Sequence, residues 1–179
     1  MGSNVKIWVL TIFLLGLFAY GIYNVYAPEH FPMSFVQGKV RRINEKVMLG
    51  PYPTAHELYR LRKKGVNKVI SLMNPGMPFE SSLIKIERKN AEGYGIEFLN
   101  IPMSYLRPGG EGNAKQLSKV LDEIIGSGDK VVYVHCYLGR HRMEKVARGL
   151  EARRVEGAGR VKEEIAAEPV RDYHEAYSK

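Results

Sequence analysis

Residues 130–142 read KVVYVHCYLGRHR, and they join a buried strand to the start of a helix. The apolar, mostly β-branched run 131–134 is typical of a strand that is covered on both faces, and a helical pattern follows Arg142. Cys136, the only cysteine of the chain, comes directly after the strand, and Arg142 follows it six residues later. A single thiol between a buried strand and a helix start, with an arginine close behind, is a layout suited to holding a phosphoryl group.

The segment from Cys136 to Arg142 has the groups that bind and attack a phosphoryl group. A loop wrapped over a helix start points successive backbone N–H groups into one concavity, and the helix dipole adds to the attraction of an anion. The same field stabilises a thiolate, so Cys136 is the predicted nucleophile. Gly139 permits a turn that a side chain would obstruct, Arg142 can hold two phosphoryl oxygens, and His135 can help to orient the thiolate. The predicted chemistry is in-line attack on phosphorus, a cysteinyl-phosphate intermediate and its hydrolysis.

The residues upstream of this segment alternate between short strands and helices. The predicted elements are a hairpin at 40–49, helices at 54–64, 81–92 and 113–125, and strands at 66–72 and 96–101. The pairs Thr54/Glu57 and Asn113/Gln116 have the spacing of helix N-terminal caps, and two short helices are expected in the tail. This order predicts an α/β domain with a mainly parallel central sheet and helices on both faces. Ligands of such sheets bind beyond the carboxyl ends of the strands, where Cys136 is expected.

Residues 7–27 (IWVLTIFLLGLFAYGIYNVYA) contain no charge and are long enough to cross about 30 Å of hydrocarbon as a helix. We therefore expect 7–27 to be a transmembrane anchor, 28–38 a juxtamembrane linker and 39–179 the catalytic domain. The alternatives are a buried core helix and a cleaved signal peptide. The run lacks the polar face of a core helix, and the residues around Ala27 suit cleavage poorly.

Charged residues on either side of this run predict that the catalytic domain faces the cytoplasm. One lysine, Lys6, precedes the run, and four basic residues follow it within about 20 residues. These four are Lys39, Arg41, Arg42 and Lys46. A chain with one cysteine forms no intramolecular disulfide, which agrees with a reducing compartment.

The formal net charge of +8 favours anionic partners, namely phosphates, acidic lipid surfaces or nucleic acid. No nucleic-acid-binding signature accompanies the charge, so we expect no nucleic-acid partner. Residues 140–162 hold eight Lys/Arg against three Glu, which fits either a basic rim around an anionic site or a solvated helix face. The expected substrate is a phosphorylated protein or a phospholipid at a membrane. His30 and His56 have no partner at metal-ligand spacing, and the predicted mechanism requires no metal, so neither a metal nor a cofactor is expected.

The motif His135-Cys136-x-x-Gly139-x-x-Arg142 resembles the phosphate-binding loop of the cysteine-dependent protein tyrosine and dual-specificity phosphatases. Upstream segments also resemble small members of this superfamily, so the resemblance covers roughly residues 45–155. It implies a dual-specificity phosphatase-like fold and hydrolysis of phosphate monoesters. It also implies Cys136 as the nucleophile, Arg142 as the phosphate clamp and the backbone amides between them as ligands. The other residues of the implied phosphate-binding loop are His135, Tyr137, Leu138, Gly139, Arg140 and His141.

Two positions depart from the pattern of that superfamily. Met143 stands where a hydroxyl residue usually helps the thiolate to leave, and the loop 102–112 lacks the aspartate that usually serves as the general acid. Glu111 lies in the expected loop and is a candidate acid, although a charge that favours a helix start is the competing explanation. His141 is a second candidate, and a substrate with a good leaving group would need no acid.

Two other functions remain open from the sequence. A membrane-tethered, phosphate-binding pseudophosphatase would account for Met143 and for the missing aspartate. A rhodanese-like sulfurtransferase also places a cysteine between a strand and a helix. The shorter anion loop of rhodaneses would put the arginine position at His141, whereas the phosphatase register places it at Arg142.

Overall fold

The computed structural model describes the backbone of residues 2–26, 37–104 and 110–167. Side chains are described for residues 5–23, 37–104 and 110–155. Over these residues the elements follow in this order: α1 (Gly2–Tyr26), β1 (Arg41–Arg42), β2 (Val47–Gly50), α2 (Ala55–Lys63), β3 (Val66–Ser71), α3 (Pro78–Gly93), β4 (Glu97–Asn100), α4 (Glu111–Gly126), β5 (Val131–His135) and α5 (His141–Ala167).

The sheet has the strand order β1-β2-β5-β3-β4, and β5 is its central strand. β1 is antiparallel to β2, and every other neighbouring pair is parallel. Tyr133 of β5 is in register with Met48 of β2 and Val69 of β3. The predicted small hairpin and mainly parallel sheet are therefore confirmed.

Helices cover both faces of the sheet, as the alternation of strands and helices predicts. Apolar side chains of α4 and α5 pack on one face, and those of α2 and α3 pack on the other. Side chains alternate along β5, so Val132 and Val134 point to the face of α4 and α5 while Tyr133 points to the opposite face. Continued beyond the strand, this alternation places Cys136 on the α5 face.

Local sequence signals explain where most helices begin and end. Thr54 and Glu57 form the predicted capping box of α2, and Gly65, with φ of +90°, follows the end of the helix. α3 begins at Pro78, three residues before the predicted start, because a proline in the first turn has no N–H to leave unpaired. The tail is one continuous helix through Ala167, so the prediction of two short helices is wrong.

α4 begins two residues before the predicted capping residue. Gly110 precedes its first residue, Glu111, and Asn113 already lies inside the first turn. The Asn113 side chain instead accepts a hydrogen bond from Ser104 N at 2.9 Å and donates one to Ser104 O at 2.7 Å. The predicted cap at Asn113 is therefore wrong, because this amide side chain joins α4 to the segment after β4.

α1 contains a run, Val5–Tyr23, that is long and apolar enough to cross a membrane. Its side chains are exposed to the surroundings and pack into no core. The predicted linker 28–38 lies outside the described residues except for 37 and 38, and 168–179 of the predicted catalytic domain also lie outside them.

Candidate active site

The carbonyl groups at the end of β5 and in the loop between β5 and α5 bond to neighbouring segments. Three of these carbonyls accept backbone hydrogen bonds, from Leu72 N to His135 O (2.8 Å), from Tyr52 N to Tyr137 O (3.2 Å) and from Gly38 N to Leu138 O (2.8 Å). Within the described residues, no acceptor pairs with the amides of 137–142. The loop therefore keeps a set of N–H donors, including those of the first turn of α5, available to an anion.

Gly139 lies where the loop passes directly against the end of β2. Its φ is +66°, and a Cβ atom there would lie 2.4 Å from Pro51 N and 2.7 Å from the carbonyl carbon of Gly50. Both the left-handed backbone and the close approach of two main chains require the absence of a side chain. Gly139 thus fixes the curvature of the loop around Cys136.

We expect Gly139→Ala to destabilise the protein more than Gly95→Ala does, by about 1–3 kcal/mol, and to weaken phosphate binding. Gly95 is the matched control because it has the same φ of +66°, but a Cβ atom there would have nothing within 4 Å. The difference between the two variants isolates the contact with Pro51. Urea unfolding and phosphate titration by calorimetry measure the two effects. Equal losses in the two variants would contradict the contact.

Arg142 is buried, and its guanidinium group is held by three acceptors. Nη1 donates to Leu72 O at 2.6 Å and to Met103 O at 3.2 Å, and Nη2 donates to Glu80 Oε1 at 2.6 Å. A guanidinium has five N–H donors, so the Nε–H and one Nη2–H are left, and neither has an acceptor within the described part of the chain. Two donors are what a bidentate contact with a phosphoryl group requires.

Glu80 is a site residue that the sequence reasoning missed. Its side chain is only 1% exposed, and its two carboxylate oxygens accept hydrogen bonds from Arg142 Nη2 and Asn74 N. A buried carboxylate is costly unless it is paired and hydrogen-bonded, and Glu80 is both. The acidic residue after Pro78 resembles an ordinary first-turn charge of a helix, so the sequence alone did not single it out.

His135 forms a second buried contact on the other side of the loop. Its Nε2 lies 2.6 Å from Glu87 Oε1 of α3, and both side chains are fully buried. The distance is that of an ion pair, while the angles are not those of a hydrogen bond. Tyr133 stacks on the His135 ring at 5.8 Å, and Tyr52 meets it edge-on at 6.1 Å. These contacts fix His135, the residue that precedes Cys136, on the α3 face of the sheet.

Tyr133, the aromatic neighbour of His135, connects β5 to the segment after β2. Its hydroxyl donates to Pro51 O at 2.7 Å, next to the contact that Gly139 makes. Burial raises the pKa of Tyr133 well above its ordinary value, and the charges of Glu57 and Glu87 add to the effect. The phenol therefore stays protonated and keeps donating this hydrogen bond at any physiological pH.

Cys136 lies in the wall of a cleft of about 540 Å³ at the carboxyl end of the sheet. The cleft is lined by Phe79, Glu80, Met103, Ser104, Asn113, Cys136, Tyr137, Leu138, His141, Arg142, Glu144, Lys145 and Arg148. Phe79 and Tyr137 meet edge-to-face at 5.3 Å. Burial, with a smaller effect of Glu80, raises the pKa of Tyr137, so its hydroxyl stays neutral. The cleft thus combines a thiol and a guanidinium with other polar and charged side chains and with a few aromatic and apolar ones.

The structure brings most of the predicted loop residues to this cleft. Cys136, Arg142, Tyr137, Leu138 and His141 line it, whereas His135 points to α3. The predicted loop residues Gly139 and Arg140 line a neighbouring groove. The predicted loop residues thus fall into three groups: those that line the cleft, those that line the neighbouring groove, and His135, which contacts α3.

The two departures from the superfamily pattern have different surroundings. Glu111 is the exposed first residue of α4 and is not among the described residues that line the cleft, and 105–109 of its loop lie outside the described residues. Met143 is buried in the same apolar cluster as Cys136 and offers no hydroxyl to the sulfur. Within the described side chains, no three His, Cys, Asp or Glu residues come together as a metal site.

The fold is similar to that of solved phosphatase structures. A DUF442 protein from Shewanella putrefaciens CN-32 with an inferred phosphatase assignment superimposes with TM-scores of 0.57 and 0.58 in two crystal structures, at 17% and 16% identity. The first match covers 69% of this chain and the second 70%, and each covers 76% of the other chain. The core catalytic domain of the PP-IP phosphatase Siw14 from S. cerevisiae gives 0.49 at 16% identity, covering 62% and 63%. No protein-family model matches the sequence, and no curated protein matches it significantly. The described domain therefore shares its fold with the DUF442 protein.

Proposed function

We propose that this protein is a phosphatase that hydrolyses phosphate monoesters through a cysteinyl-phosphate intermediate. The observation that carries the proposal is that Cys136 and Arg142 line one cleft, beside loop amides that have no acceptor within the described residues. The phosphatase-like fold supports the same conclusion. The proposed substrates are phosphoproteins of the tyrosine or dual-specificity type, or phospholipids.

The arrangement acts in two displacements at phosphorus. The loop amides and Arg142 hold the non-bridging oxygens, and the Cys136 thiolate attacks phosphorus opposite the leaving oxygen. The S–P bond forms as the P–O bond to the leaving group breaks, and the leaving oxygen takes a proton from an acid or from water. Water then attacks the phosphocysteine, which releases inorganic phosphate and regenerates the thiolate. The donors are fixed before the reaction, so they need no reorganisation as charge develops.

The proton donor for the leaving group is proposed to be His141 rather than Glu111. Both side chains are exposed, but His141 lines the cleft at the first turn of α5, whereas Glu111 is not among the described residues that line it. Two other carboxylates line the cleft, but Glu80 is bonded to Arg142, and Glu144 lies 3.3 Å from Arg41. An aryl phosphate has a leaving group that departs readily without an acid, so its hydrolysis tests the nucleophile without depending on which residue is the acid.

The decisive experiment is hydrolysis of p-nitrophenyl phosphate by the full-length protein in detergent micelles, with acid quenching and mass spectrometry of the peptide that contains Cys136. We expect turnover and a phosphoryl adduct on Cys136 during the steady state. Arg88→Lys, an exposed change on α3, is the control that should react normally. Turnover without an adduct would contradict the covalent mechanism. Sulfur transfer from thiosulfate to cyanide, without release of phosphate from the ester, would identify a rhodanese-like enzyme instead.

A phosphate-binding pseudophosphatase is the second candidate function, and the burial of Met143 beside Cys136 favours it. Without a hydroxyl next to the sulfur, the thiolate is a poorer leaving group in the second displacement. In that case the same assay gives about one equivalent of p-nitrophenol and a persistent phosphocysteine, with no release of inorganic phosphate.

We also propose that α1 is a single-span membrane anchor and that the catalytic domain lies on its cytoplasmic side. The length and apolar character of Val5–Tyr23 support the span, and the basic residues that follow it support the orientation. Cysteine labelling of sealed vesicles with an impermeant reagent, using Ser3→Cys in a Cys136→Ser background, tests the orientation. Labelling from the cytoplasmic side would contradict it.

A further inference from the structure

The chain enters the catalytic domain directly beside the phosphate-binding loop. Gly38 N donates to Leu138 O at 2.8 Å, and a Cβ atom on Gly38 would lie 2.6 Å from Gly139 O. The first described residues after the membrane helix are thus in main-chain contact with the loop that holds the substrate. Any tether that ends at Gly38 is attached to the active-site end of the domain.

The tether limits how far the loop can lie from the end of α1. Between Tyr26, the last residue of α1, and Gly38 there are 12 Cα–Cα steps, which span no more than about 43 Å when fully extended. If α1 spans a bilayer, Gly38 and the loop beside it therefore stay within about this distance of the bilayer surface. A tether attached at the far end of the sheet would add the length of the domain.

A basic groove of about 390 Å³ lies at the same place. It is lined by Gly38, Lys39, Arg41, Gly139, Arg140, His141 and Glu144. Glu144 is its only carboxylate among the described residues, and it lies 3.3 Å from Arg41. Lys39 and Arg140 are exposed and have no side-chain partner within the described part of the chain. The groove therefore presents an excess of positive charge next to the phosphate-binding loop.

The cleft that contains Cys136 is also lined by basic and by apolar side chains, and its two carboxylates, Glu80 and Glu144, are paired with Arg142 and Arg41. Lys145 and Arg148 line it about one and two helical turns beyond His141, and Phe79 and Met103 line it as well. A cleft with cationic and apolar walls suits an ester in which a phosphate is attached to an apolar body. A bilayer lipid with a phosphomonoester headgroup has this chemistry.

We propose that the substrate is a lipid phosphomonoester, and that the basic groove of Lys39, Arg41 and Arg140 seats the loop against an anionic bilayer surface. This inference rests on the proposed phosphatase function and names the substrate class of the same site. Anionic lipids attract basic residues at the membrane surface, and each such residue strengthens the contact. The tether keeps the groove within reach of that surface, and Phe79 and Met103 of the cleft would contact the part of the lipid next to its headgroup.

The test uses full-length protein in phosphatidylcholine vesicles that contain about 5 mol% phosphatidic acid as substrate, with or without about 30 mol% phosphatidylglycerol. Phosphatidylglycerol supplies negative charge but has no phosphomonoester. The variant Lys39→Gln removes one groove charge and leaves the contact between Arg41 and Glu144 intact, and Lys63→Gln is the matched control. Lys63 is the last residue of α2, which leads to the amino end of β3, at the opposite end of the strands from the loop.

We expect phosphatidylglycerol to accelerate release of phosphate from phosphatidic acid by about tenfold. The groove variant should lose this acceleration while its hydrolysis of p-nitrophenyl phosphate is unchanged, and the control variant should keep both. High salt should reduce the acceleration, because it screens surface charges.

Three results would overturn the inference while leaving the phosphatase function intact. They are an acceleration that survives in the groove variant, an equal loss in the control variant, and more efficient hydrolysis of a phosphotyrosine peptide or of free glycerol 3-phosphate than of the vesicle lipid. Absence of p-nitrophenyl phosphate hydrolysis by the unmodified protein would instead overturn the proposed function itself, and this inference with it.

Discussion

Cys136→Ser is expected to lower kcat for p-nitrophenyl phosphate by about 10⁴-fold or more while phosphate still binds. A serine hydroxyl is un-ionised near neutral pH and is a far weaker nucleophile than a thiolate, so the first displacement fails. The loop amides and Arg142 do not depend on the sulfur, so the anion site is retained. Steady-state kinetics measure the first effect and isothermal calorimetry with phosphate measures the second.

The fold must survive the substitution for this result to be informative. Cys136 is 3% exposed and packs in the apolar cluster of α4 and α5, and serine differs from it by a single atom. Thermal unfolding should therefore change little, which circular dichroism checks. Activity within tenfold of the unmodified protein would remove Cys136 from the role of nucleophile and leave phosphate release to another group.

Arg142→Lys is expected to lower kcat/KM by about 10²- to 10³-fold, which is typical of the loss of one transition-state donor group. An ammonium keeps the positive charge, but it cannot hold two phosphoryl oxygens in the parallel geometry of a guanidinium. It also cannot satisfy Leu72 O, Met103 O and Glu80 together with a substrate. Arg88→Lys on the surface of α3 is the control and should leave kcat/KM unchanged.

Glu80→Gln separates the position of Arg142 from its charge. The amide keeps the size of the side chain but loses the charged contact with Nη2, so Arg142 should be less firmly oriented. We expect a smaller loss than in Arg142→Lys, with KM rising more than kcat falls. If Glu80→Gln were as damaging as Arg142→Lys and lowered kcat alone, Glu80 would act on the reacting atoms and not through the arginine.

Features that depend on neighbours along the chain could be predicted from the sequence. The strand, the loop and the helix start around Cys136 are contiguous, so the apolar run before the cysteine and the helical pattern after Arg142 located the candidate site. The capping box at Thr54 likewise depends on residues three positions apart. Asn113 had the same spacing, but its amide pairs with Ser104 across a loop, and such a contact leaves no local pattern.

The sequence by itself determined the α/β class, the mainly parallel sheet, the apolar N-terminal helix and the identities of the thiol and the arginine. Only the tertiary structure decided what holds them. Glu80 meets Arg142 across 62 positions of sequence, Glu87 meets His135 from α3, and Gly38 lies against the loop between β5 and α5. The periodicity of strands and helices depends on residues that are close in sequence, whereas these contacts arise because the sheet order places β5 between β2 and β3. That order brings distant segments together at the carboxyl ends of the strands, and no local sequence pattern predicts it.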